Sequence, residues 1–227
     1  MRMRFLCLCA IVFLEAFYFP AWGAVHLSTL PAVVRPCAVC HGANGISKDG
    51  FIPNIAGQKV EYLVKQTLEM HQFVRQRYGL ESAGKDASPS RLTDRRDGVH
   101  MDRQFAELDR VGIRTIARYF SSLPRACAPS GTPRGNPSSH LVSHCTTCHG
   151  QDGTSDFSYV PHLAGQHRFY LAEQMRLFRT NEHKVSLSPD STSRSNPVMS
   201  PQAALISKEQ IAELALWFAN SSCAEKK

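Results

Sequence analysis

Apolar residues in this chain recur with helical spacing in two places. Ile211, Leu214, Ala215 and Phe218 stand at i, i+3, i+4 and i+7, the stripe of a helix that lays one face on a core. Ile113, Ile116, Ala117 and Phe120 make the same stripe 98 residues earlier, and Tyr119 and Trp217 occupy matching positions on the two. Ser207 and Gln210 supply a capping box that starts the later helix. No apolar and polar alternation of the kind a half-buried strand needs competes with this pattern, so an all-α fold is expected.

The duplication extends upstream in a second register. At an offset of 108 residues, Cys37, Cys40, His41, Gly42, Gly45, Ser47, Pro53, Ala56, Gly57, Gln58, Tyr62, Leu63 and Gln66 each meet the same residue type without a gap. The first half therefore holds 10 extra residues between Gln66 and Met101. Each half reads as a short helix, a loop with Gly and Pro, a helix from about Lys59 or His167, a polar loop and a closing helix. At 227 residues the chain could form one large domain or two small ones. The repeat favours two, over residues 24–122 and 140–227. Residues 123–139, rich in Pro, Ser and Gly, read either as a flexible linker or as a structured loop packed between the halves.

The chemistry stands at the start of each repeat, in Cys37-Ala38-Val39-Cys40-His41-Gly42 and Cys145-Thr146-Thr147-Cys148-His149-Gly150. A lone CxxC pair also serves as a disulfide or as half of a zinc site. A His directly after the pair suits a porphyrin better. Two thiols separated by two residues can add to the two vinyl groups of one ring, and the adjoining imidazole then lies beneath it, aimed at the iron. Two covalent haem c groups are therefore expected, attached through Cys37, Cys40, Cys145 and Cys148, with His41 and His149 as axial ligands. Pro53 and Pro161 each follow their His by 12 residues. A carbonyl there could accept the Nδ1 proton and strengthen donation to iron; a simple turn proline is the alternative.

The second axial ligand is read from register. Met101 and Met199 coincide at the offset of 98, each 18 residues before the aromatic of its closing helix, and are the expected distal ligands. Met199 lies in Asn196-Pro197-Val198-Met199-Ser200-Pro201, where the prolines are expected to hold an extended loop. His100, beside Met101, is the alternative at the first iron and would give that site a lower potential. Met70 and Met175 fall on helices and read as packing. His71, His144, His162, His167 and His183 have no counterpart in the other half and read as surface or packing residues.

Arg2 and Arg4 precede an apolar run over residues 5–19, and Ala21-Trp22-Gly23 offers small residues for cleavage, so residues 1–23 read as an export signal. An uncleaved anchor is the alternative, but the run falls short of the ~20 residues needed to cross a bilayer, and Glu15 interrupts it. Loss of Arg2, Arg4 and Glu15 lowers the formal charge from +7 to +6. Basic residues alternate with acids, as in Asp94-Arg95-Arg96-Asp97, which excludes a nucleic-acid stripe and leaves a mild field able to steer an acidic redox partner. Export places the mature chain in the periplasm, where disulfides persist. It would be soluble there or held peripherally by a membrane complex.

In these residues the chain resembles the dihaem cytochromes c of the cytochrome c4 type. The resemblance covers most of residues 30–220 and rests on the CxxCH motifs, on the Pro-x-x-Ala-Gly-Gln-x-x-x-Tyr-Leu stretch from Pro53 to Leu63 with its counterpart in the second half, and on Met101 and Met199. It implies two tandem cytochrome c domains related by a pseudo-twofold, with haem propionate edges facing each other, and His proximal and Met distal at both irons. It also implies a periplasmic electron carrier, not an enzyme, working between redox protein partners. Under such a pseudo-twofold the ends of the two closing helices can lie close, so a Cys127 to Cys223 disulfide is proposed; two separate thiols are the alternative. The long charged loop over residues 78–99 departs from the family pattern. Two other functions are open: the dedicated cytochrome subunit of a flavoprotein, molybdenum or alcohol dehydrogenase complex, and a dihaem peroxidase, against which the paired methionines argue.

Overall fold

Leu30, Val34, Cys37 and Ala38 pack against Ile116 and Phe120 to form the core of the first half. The computed structural model describes residues 27–77, 95–96, 101, 108–180 and 194–223. In the first half a 3-10 turn over Leu27–Thr29 leads to α1 (Arg35–His41), α2 (Val60–Arg77) and α3 (Arg110–Ser121). The second half contains α4 (Ser139–His149), α5 (Arg168–Thr180), α6 (Met199–Ala204) and α7 (Lys208–Ala219). Among the described residues no helix is long and apolar enough to cross a membrane.

The two apolar stripes do what their spacing predicts. Ile113, Ile116, Ala117 and Phe120 are all buried on α3, and Ile211, Leu214, Ala215 and Phe218 on α7. α3 packs on α2, while α5 packs on both α6 and α7. The second core joins Leu171 and Ala172 of α5 to Ile206 and the α7 stripe, with Met175 and Trp217 packed against it. Met70 is buried as well. The capping box forms: Ser207 accepts from the Gln210 amide at 3.2 Å and the Gln210 side chain accepts from the Ser207 amide at 2.8 Å. Asp109 caps α3 by accepting from the Gly112 amide at 2.7 Å.

Three features depart from or refine the sequence reading. Residues β1 (Arg95–Arg96) and β2 (Arg194–Ser195) pair antiparallel, so the helical fold contains one short ladder. Arg96 faces Arg194, its own mate at the offset of 98, as expected where a pseudo-twofold axis passes between two strands. The stretch around Met199 is not an extended loop. The Asn196 side chain accepts from the Val198 and Met199 amides at 2.9 and 2.8 Å, and this turn feeds directly into α6. Pro201 is tolerated there because first-turn amides need no helical partner.

Residues after α3 form a structured strap rather than loose chain. Leu123 and Arg125 pass over Gly57, and Ala126 and Cys127 pass over Gly165. These glycines have φ of 61° and 70°, and a Cβ on either would run into the strap. The strap ends in the Cys127–Cys223 disulfide, with Cα atoms 5.4 Å apart. Residues 1–23, His100, His183 and most of the charged loop at 78–99 lie outside the described residues.

Candidate functional site

α1 and α4 each end on their His, after which Gly42 and Gly150 turn the chain at φ of 81° and 82°. A Cβ at either position would collide with the carbonyl of Ile46 or of Thr154, so the Gly of each motif is sterically required. On each helix the two thiols are three residues apart and share a face. None of the four is in a disulfide. Burial pushes the Cys37 and Cys145 thiols up to about 11, the neighbouring Cys40 adding to the rise at Cys37, so both are protonated at neutral pH.

His41 and His149 are buried. The Nδ1 of His41 lies 2.8 Å from the Pro53 carbonyl oxygen, and that of His149 lies 3.0 Å from the Pro161 oxygen. A carbonyl can only accept, so each Nδ1 carries the proton and Nε2 is the nitrogen able to present a lone pair to a metal. Burial lowers the pKa of His149 and so favours the neutral ring, while the bond to Pro161 acts in the opposite direction. Two uncrosslinked thiols on one helical turn, followed by a neutral and oriented imidazole, fit a covalently held haem. Among the described residues no three His, Cys, Asp or Glu side chains converge, as the tetrahedral zinc alternative would need.

Met199 opens α6, half-buried, on a helix packed against α5. Met101 is half-buried in a turn. The structure thus groups each thiol pair with its His on one helix, while each Met comes from a separate segment downstream. Tyr119 and Trp217 line up as their register implies: each stands edge-on to the Phe that follows it. The His149 and Phe218 rings are 6.4 Å apart, edge to face.

The stretch after His41 and after His149 makes the contact between the halves. Gln58 accepts from the His162 amide at 2.9 Å and donates to the His162 carbonyl at 3.0 Å. Gln166 does the same to Asn54, both bonds being 2.8 Å. Asn54 and His162 are mates at the offset of 108, as are the two glutamines, so this contact maps onto itself when the halves are exchanged. Around it, His167 donates from Nε2 to the Ser47 carbonyl at 3.1 Å, and the Tyr170 amide donates to Gly50 at 3.1 Å. Phe51 stacks on Phe169 at 5.4 Å. Buried Arg194 donates to Tyr62 and Gln66 of the first half and to Gln174 of the second, at 3.2, 3.0 and 2.6 Å.

His162 and His167 are therefore contact residues between the halves, where the sequence reading had surface or packing. Gln58, Gln166 and Arg194 were not singled out as contact residues either. The signal was present: both glutamines survive duplication at one offset, and Arg96 and Arg194 at the other.

A profile described as Cytochrome c matches residues 138–222. Cytochrome c4 of Stutzerimonas stutzeri is 30% identical over 156 residues, which cover 64% of this chain and 69% of that protein. The chain belongs to the cytochrome c4 family. The crystal structure of reduced recombinant cytochrome c4 from Pseudomonas stutzeri has a TM-score of 0.57 at 25% identity, covering 83% of this chain and 94% of that one. The thiosulfate dehydrogenase electron acceptor of Stutzerimonas stutzeri strain A1501 is also similar, 27% identical over 191 residues, or 81% of this chain and 78% of that protein. Cytochrome c4 structures have two cytochrome c domains, and the duplicated helical cores described above are that architecture. As a cytochrome c4 relative the chain is an electron-transfer cytochrome whose cofactor is haem c.

Proposed function

We propose that the chain is a periplasmic dihaem electron carrier, exported by residues 1–23, with domains over residues 24–122 and 140–227. Haem c would be attached at Cys37 and Cys40 with His41 and Met101 as axial ligands, and at Cys145 and Cys148 with His149 and Met199. The observation that carries this reading is the duplicated imidazole geometry: buried His41 and His149, each donating Nδ1–H to a proline carbonyl 12 residues on, directly after a free thiol pair. Bound haem supplies a one-electron ferrous and ferric couple. The chain's contribution is to keep both axial groups in place and to exclude water behind Phe120 and Phe218, so that little rearranges when an electron arrives. Thioether donation from Met sets a higher potential than a second His would.

A pyridine haemochrome assay is expected to count two haems per chain, and a potentiometric titration to resolve two one-electron steps. Met101→Ala and Met199→Ala should each move one step to lower potential and each remove part of a weak ferric band near ~695 nm, because axial identity sets the electronics. If Met101→Ala leaves both steps unmoved, the first distal ligand is not Met101, and His100→Ala becomes the informative variant.

The similarity to a thiosulfate dehydrogenase electron acceptor favours a second reading, in which the chain serves one dehydrogenase as its dedicated acceptor. Co-purification with a dehydrogenase supports it. Equal rates of reduction by unrelated donors count against it.

A further inference from the structure

We infer that Gln58 and Gln166 are positioning residues acting across the domain contact: Gln166 of the second half strengthens the donation of His41 to its iron, and Gln58 of the first half strengthens that of His149. The inference rests on the reading above that these two histidines ligate haem.

A single peptide unit in each half links the His to the glutamine of the other half. The Pro53 carbonyl accepts from His41 Nδ1 at 2.8 Å. The N–H of that same peptide unit belongs to Asn54, and it donates to Gln166 Oε1 at 2.8 Å. The first chain of bonds is therefore His41 Nδ1–H to the Pro53 oxygen, through the amide, and from Asn54 N–H to Gln166. Its counterpart runs from His149 to Pro161 at 3.0 Å and from the His162 amide to Gln58 at 2.9 Å. An amide whose N–H is donating is more polarised and so a better acceptor at its oxygen, and bonds in line reinforce one another. The stronger acceptor draws on the Nδ1 proton, makes the imidazole more basic and favours ferric over ferrous iron.

Two further facts make this more than a docking contact. Each glutamine also donates to the carbonyl of the residue it accepts from, in the next peptide unit, so Asn54 and His162 are each gripped on both sides of their Cα. Asn54, Gln58 and Gln166 are buried, which keeps water from competing for the Asn54 amide, while the bond from the His162 amide is part-buried. Any polar pair could join two domains. Here each glutamine lands on the peptide that supports the proximal His of the other half.

The test uses the holoprotein. Gln166→Met and Gln58→Met keep the side-chain volume without the amide; Gln166→Asn and Gln58→Asn keep the amide but withdraw it by one methylene. Potentials are read by titration, with each haem followed separately through its hyperfine-shifted methyl resonances. The Gln166 variants are expected to raise the potential of the first-half haem more than that of the second, and the Gln58 variants to do the reverse. A shift confined to the variant's own half, an equal shift of both haems, or no shift overturns the inference. In the wild type, the Asn54 and His162 amides should exchange slowly with deuterium; exchange at the rate of open loop amides also overturns it. Failure of the wild type to show two haems removes the ligation reading itself, whereas two normal haems with unmoved potentials in the variants remove only this inference.

Discussion

Ser47 and Ser155 stand 108 residues apart and donate to the carbonyls of Cys40 and Cys148, at 3.1 and 2.7 Å. Pairs of this kind recur through the repeat, because a side chain retained in both halves meets the same local backbone in both. Residues that differ between mates are where the halves diverge. His162 replaces the position held by Asn54, and burial, followed by the positive charges of Arg125 and Lys59 with Asp152 opposing them, pushes its pKa from 6.5 to about 4. The folded chain keeps this ring neutral over a range where the unfolded chain protonates it. The stability it contributes is therefore complete above about 6.5 and is lost as pH falls toward about 4. Denaturant titrations of the holoprotein across this window should show stability falling with acid, and His162→Gln should flatten the fall. Parallel pH profiles for variant and wild type would contradict the assignment.

At the level of elements, termini were decided by hydrogen bonds from one or two side chains. The α7 start was legible because Ser207 and Gln210 form a pattern independent of the rest of the fold. Replacing Ser207 with Ala is expected to cost about 1 kcal/mol, read as a lower denaturation midpoint with haem content unchanged. The Asp109 cap had no Glu or Gln three residues on to complete such a pattern, since Gly112 stands there. α6 was missed because two prolines argue for extended chain, while Asn196 overrides them by holding two successive amides. The ladder of β1 and β2 spans two residues in each strand and leaves no periodicity to detect.

For the whole molecule, the strap and its disulfide bind the close of the first half to the close of the second. The Cys127–Cys223 bond spans 96 residues of sequence. Loop entropy alone gives it a ceiling of about 4–5 kcal/mol. The Cys127→Ser, Cys223→Ser double variant should therefore unfold at lower denaturant while both redox steps persist; unchanged stability would mean that the strap and the glutamine contacts already restrain the chain. By itself the sequence determined the two thiol pairs with their histidines, the helices of the repeat and the family, because these depend on local spacing and on residue identity kept through duplication. Apart from the Cys127–Cys223 bridge, which the resemblance implied, only the tertiary structure decided which residues of one half touch the other. That Gln58 reaches His162, that Gln166 reaches Asn54 and that Arg194 bridges both halves depends on how two surfaces face each other across more than 100 residues of chain, and no local periodicity encodes that orientation.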